Sequence, residues 1–159
     1  MTTHLALWSL ILLCFSMAAA LGGVLCEHTV LTPRWSASPA SAFPVVRRGG
    51  RAPVRGFWFP VHAAIAVFIL LALFLTWSDL RVRSVLLTGL ASYTILRLWS
   101  GLFFIRELLA FQENPSYSVS AAKFYARVAE STYWTWFRGP LSVVCFLCVL
   151  LALYWLKIP

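Results

Sequence analysis

Acidic side chains are scarce: five Asp and Glu stand against thirteen Lys and Arg, and charged residues of both signs make up only 11% of the 159 residues. With 61% of the chain hydrophobic, a water-soluble domain would be left with large exposed apolar patches, which excludes an ordinary globular protein. Familiar catalytic signatures are missing as well. There is no Gly-rich nucleotide loop, no Ser nucleophile elbow and no His-Glu-x-x-His helix. Asn114-Pro115-Ser116 is not a glycosylation acceptor, because proline occupies its middle position. No internal repeat is visible. The formal charge of +8 comes without a continuous basic face interleaved with stacking aromatics, so nucleic acid is not the implied partner. The Arg residues flank hydrophobic runs, as charges at a membrane surface do.

Four long apolar runs are present. A mean hydropathy of +0.83 and runs of about 20 apolar residues predict an all-α, integral membrane four-helix bundle, a single domain over 1–159 with the lipid bilayer as its solvent. The helices are expected at about 5–26, 57–77, 85–105 and 140–156. Ser16, Ala19 and Gly23 repeat at helical spacing in the first, which predicts a close neighbouring backbone. Ala18-Ala19-Ala20 resembles a signal-cleavage region, but Met1-Thr2-Thr3-His4 lacks a basic n-region, so the first run is expected to be retained. Pro60 is expected in the first turn of the second helix, and Gly139-Pro140 marks the start of the fourth. The Pro-, Ser- and Arg-rich stretch Thr32 to Gly56 reads as an irregular loop, and Ser120 to Tyr133 as an interfacial helix. Both long connections then share one membrane face. That face carries nine Lys and Arg, including Arg34, Arg47, Arg106 and Arg138, against Arg81, Arg83 and Lys157 opposite. The positive-inside count favours long loops in the cytoplasm; analogy with other small four-helix proteins points the other way, and orientation stays open. Trp8, Trp77 and Trp155 are expected at the opposite interface, away from polar groups.

Polar residues in such a chain carry the functional signal. Arg97 is expected about halfway along the third helix, where a guanidinium must pair, reach water or face the bundle interior. Tyr93 shares its face, and Glu27 at the end of the first helix is the expected partner. His62, placed in the first turn of the second helix, is expected to be a neutral imidazole near the positive helix end. Glu27, His28, His62 and Glu107 share one membrane level, a donor set that suits a divalent transition metal; two imidazoles alone suit haem. The alternative is a set of interfacial polar caps with no metal. Cys145-Phe146-Leu147-Cys148 has thiol-oxidoreductase spacing, but the cysteines are expected to be buried small hydrophobes.

Several of these positions fall in a pattern. Glu27 is followed by Pro33-Arg34-Trp35; Phe57-Trp58-Phe59-Pro60-Val61-His62 enters the second helix; Arg97 lies in the third; Phe103-Phe104-Ile105-Arg106-Glu107 leaves it; and Trp136-Phe137-Arg138 enters the fourth. Over Gly22 to Leu141 the chain resembles the anthrone oxygenase-like family of small four-helix membrane proteins, with its many uncharacterised bacterial members. It departs from that family at Cys26, where Tyr is frequent, and at Arg106, where Pro is. The resemblance implies a multi-pass protein of the bacterial inner membrane acting on a lipophilic aromatic or quinone-like molecule. Together with the residue chemistry it points to Glu27, His62 and Arg97 as catalytic groups, with Trp58, Trp136, Glu107 and Arg138 around the substrate. The competing expectation is a non-catalytic subunit whose aromatic faces pack on a membrane protein partner or on a second copy of the chain.

Overall fold

Apolar runs bounded by Pro, Asp and Arg fold into helices that run further than their hydrophobic cores. The computed structural model of the chain describes residues 2–31, 33, 53–105 and 137–157. These residues form α1 (Thr2–Cys26), α2 (Pro53–Leu75), α3 (Leu80–Trp99) and α4 (Arg138–Lys157). π-helical turns extend α1 over Glu27–Leu31 and α3 over Ser100–Ile105. Among the described residues there is no strand. Four helices, Thr3–Val30, Gly56–Leu75, Leu80–Leu102 and Arg138–Leu156, are long and apolar enough to cross a bilayer.

Two helix starts differ from expectation, each for a local reason. α2 begins at Pro53, whose missing N–H costs nothing at the first position, so Pro60 lies inside the helix. There it removes the hydrogen bond that the Gly56 carbonyl would otherwise accept. α3 begins at Leu80 because the Asp79 carboxylate caps it, accepting from the Arg81 N–H at 2.9 Å and the Val82 N–H at 3.2 Å. Counting apolar residues passes over this start, since Arg81 and Arg83 interrupt the run. Of the irregular loop expected over Thr32 to Gly56, residues 53–56 are instead the first turn of α2, while residues 32 and 34–52, like the interfacial helix expected over Ser120 to Tyr133, lie outside the described residues.

Burial recurs in alternating steps of four and three. On α1 it runs Ala6, Leu10, Leu13, Met17, Ala20, Val24; on α3 Val82, Leu86, Gly89, Tyr93, Leu96, continuing to Ser100 in the π-helical turn; on α4 Arg138, Ser142, Cys145, Val149, Ala152. A mean step of 3.5 residues is the period of a left-handed seam, in which side chains of one helix seat between four of its neighbour. The opposite faces are apolar too, with Phe15, Phe59 and Phe74 71%, 78% and 79% exposed. Such uniform apolarity around a helix suits lipid on the outside. α1 packs on α2 and α4, and α4 on α3, whereas α2 and α3 touch over a short stretch only.

Small residues set two of these contacts. A Cβ on Gly23 would stand 2.7 Å from Phe57 Cε1 and 2.9 Å from Trp58 Cη2, so any larger residue would have to push these rings off their seat on α1. A Cβ on Gly89 would meet Cys148 Cβ at 3.2 Å, marking the close approach of α3 to α4. Of the small-residue stripe read from the sequence, Gly23 makes the expected close contact. Ala19 is exposed, and Ala20 beside it takes the buried position.

Candidate functional site

Every described helix brings a polar or aromatic side chain to the same end of the structure. α1 delivers Glu27, at the point where its α-helical winding loosens into a π-helical turn. From α2 come Trp58 and His62, one turn apart on a single face. α3 supplies Tyr93 and Arg97, also one turn apart, and α4 opens with Arg138. Trp58 Nε1 donates to Glu27 Oε1 at 2.8 Å, and Arg138 Nη1 pairs with Glu27 Oε2 at 3.4 Å. The Arg138 guanidinium also lies 6.0 Å from the centre of the Trp58 ring. Trp58 stacks on His62 with centroids 5.2 Å apart and planes 14° from parallel. One indole thus joins the carboxylate of α1 to the imidazole of α2.

The hydrogen bonds of His62 have a fixed direction. Arg97 Nη1 lies 2.6 Å from His62 Nε2, and a guanidinium can only donate, so Nε2 holds the lone pair. In the neutral ring the proton is then on Nδ1, which donates to Tyr93 Oη at 2.9 Å. The Tyr93 hydroxyl in turn donates to the His62 carbonyl oxygen at 3.4 Å. The neutral imidazole expected from sequence is therefore held by its partners. The helix-end argument for it falls, because His62 is the tenth residue of α2, well beyond the first turn.

Arg97 itself corrects two expectations. It lies in the last turn of α3, since the helix begins earlier than its apolar core. Its partner is His62, while Glu27 is taken by Arg138 and Trp58. The reason is chain position: Arg138, buried at 6% exposure, opens α4 beside the end of α1 and reaches the carboxylate first. The expected approach of His62 to Glu27 runs through Trp58.

Beside Arg97 a cleft of about 420 Å³ separates α2 from α3. Ala66, Ile69 and Leu70 line one wall, and Leu90, Tyr93 and Arg97 the other. Among the described residues the guanidinium has one hydrogen bond, to His62, and Arg97 is one of the residues that line this cleft.

The remaining site candidates separate clearly. His28 is half-buried in the π-helical turn after Glu27. Glu107 and Trp136 lie outside the described residues. Among the described residues no three His, Cys, Asp or Glu gather around a point that could hold a metal ion. His62 has both ring nitrogens engaged, so in this arrangement it offers no lone pair to a metal or haem. Cys145 is buried, its thiol 3.8 Å from Met17 Sδ, as expected of a small hydrophobe, whereas Cys26 is exposed. At the other end Trp77 has polar company after all: Arg83 stacks 5.0 Å from its ring centre and donates to its carbonyl at 3.2 Å.

Tyr93 is the residue that sequence reasoning placed near Arg97 without giving it a role; its spacing of four from Arg97 was the available signal. No family model, curated protein or solved structure matches this chain.

Proposed function

We propose that the chain is a multi-pass four-helix bundle of the bacterial inner membrane that holds a lipophilic phenolic or quinone-like molecule by its oxygen at Arg97. One observation carries this reading: an Arg97 guanidinium held by His62 within an apolar span, on a residue that lines a cleft. A cation in such surroundings calls for an electron-rich partner. In this reading Arg97 stabilises a phenolate, as fixed donors stabilise developing negative charge elsewhere. When Arg97 turns a donor toward the ligand, His62 Nε2 is released and accepts the phenol proton, while Nδ1–H stays on Tyr93. Trp58 keeps the imidazole plane in place, and Glu27 and Arg138 keep Trp58 in place.

The resemblance to anthrone oxygenases supplies the reaction class, in which an anthrone methylene and O2 give a carbonyl and water. The test is binding and turnover of anthrone by the purified protein in detergent. Saturable quenching of tryptophan fluorescence is expected, weakened about ten- to hundredfold in Arg97→Leu, the range for one hydrogen bond to a charged group. Anthraquinone formation should fall with it. Unchanged binding in Arg97→Leu contradicts the proposal. Absence of any saturable binding, with constant co-elution of other membrane proteins, favours the non-catalytic subunit.

A further inference from the structure

The cleft beside Arg97 is open along the gap between α2 and α3, and its polar end lies between one and two turns inside the near ends of the apolar spans. Arg97 is five residues from the end of its span at Leu102, and His62 six from the start of its own at Gly56. At 1.5 Å per residue these are depths of about 7.5 and 9 Å. The two helices independently put the Arg97–His62 bond below the helix ends, and that bond holds the guanidinium back from the interface. From Arg97 the cleft continues seven residues along α3 to Leu90, about 10 Å further toward the middle of the span. Its walls there are Ala66, Ile69, Leu70 and Leu90.

From this geometry we infer that the cleft is a lateral entry port, admitting from the hydrocarbon a phenol or quinol with an alkyl or prenyl tail, head on Arg97 and tail along Leu90 and Leu70. This rests on the reading of Arg97 as the oxygen-binding residue. Charge and depth decide between occupants. The Arg97 guanidinium, bonded among the described residues to an uncharged imidazole, favours an electron-rich head. A phospholipid would have to carry a permanently charged phosphodiester and its glycerol below the interface, where desolvation is severe. A phenol arrives neutral and ionises only once it is on Arg97. The tail needs no aqueous route, because Leu70 and Leu98 at the cleft lie on the exposed apolar surface of their spans.

The experiment uses the full chain in phosphatidylcholine nanodiscs with decylhydroquinone carrying a diazirine on its tail. After photolysis, labelled peptides are mapped and competed with unlabelled decylhydroquinone. Labelling is expected within 66–70 and 90–98, competed by excess ligand and reduced at least tenfold in Ala66→Phe, which puts a ring in the cleft one turn along α2 from His62; tail-free hydroquinone, read in the same variant, reports whether Arg97 and His62 are still in place. A second variant, Ala63→Phe on the exposed face of α2, guards against a general effect of the added ring and should label as the parent does. Labelling spread over all lipid-facing surfaces, or indifferent to Ala66→Phe, overturns the port. Competition by phosphatidylglycerol with none by decylhydroquinone makes the cleft a phospholipid site and overturns it too. Tail-free hydroquinone separates this from the underlying reading. If it binds with Arg97 dependence while the tail labels elsewhere, the oxygen site stands and the port falls; if neither probe depends on Arg97, both fall.

Discussion

The bond from Arg97 to His62 can form in one sense only, and that sense reaches Tyr93 through the imidazole. Tyr93→Phe removes the acceptor of the Nδ1 proton and leaves a polar N–H in a largely apolar setting. A loss of about 1 kcal/mol is expected, since hydrogen bonds between membrane helices average ~0.6 and rarely exceed ~1.7 kcal/mol. Thermal unfolding in detergent measures it, and a loss above 3 kcal/mol would show that Tyr93 does more than accept this proton. Glu27→Gln keeps an acceptor for Trp58 but removes the charge of the Glu27–Arg138 ion pair. Breaking a fully buried ion pair costs about 3–5 kcal/mol. Here the carboxylate is 19% exposed and the pair is 3.4 Å long, so about 1–2 kcal/mol is expected.

Helix starts and helix contacts were legible in the sequence to different degrees. The four apolar runs read directly, because hydrophobic length is what a bilayer-spanning helix needs. The start of α3 did not, because Asp79 acts through two backbone N–H groups and adds nothing to an apolar count. Asp79→Ala should lower the unfolding midpoint by an amount equivalent to about 1 kcal/mol. Glycines give a sharper contrast. Gly23→Ala places a methyl group against Phe57 and Trp58 and should cost about 1–3 kcal/mol, with a shift in tryptophan emission as the indole leaves Glu27. Gly22→Ala meets nothing within 4 Å and should be neutral or slightly stabilising. Equal effects of the two would contradict the packing of Trp58 on α1. Which residue of the Ser16, Ala19, Gly23 stripe mattered was not readable, since helical spacing defines a face but leaves its neighbour unnamed.

For the whole molecule, the sequence located the site's end of the structure but assigned its pairs differently. Glu27, His62 and Arg97 were selected because each is polar at a comparable depth, a one-dimensional property. Pairing depends on which helices are adjacent, and α4 beside α1 gave Glu27 to Arg138. Membrane topology is tested by labelling single cysteines at positions 41, 78 and 118 in a cysteine-free background. Positions 41 and 118 should react from one side and 78 from the other; 41 and 78 reacting from the same side contradicts a four-crossing arrangement. The most direct test of the site is 15N NMR of the histidines in lipid bilayers at pH 7, with the His62 signals assigned by their loss in His62→Gln. A neutral ring protonated at Nδ1 and bare at Nε2 is expected, with that tautomer lost in Arg97→Leu. An imidazolium, or a ring protonated at Nε2 in the parent protein, would contradict an Arg97 donor on His62 and with it the site built around that bond.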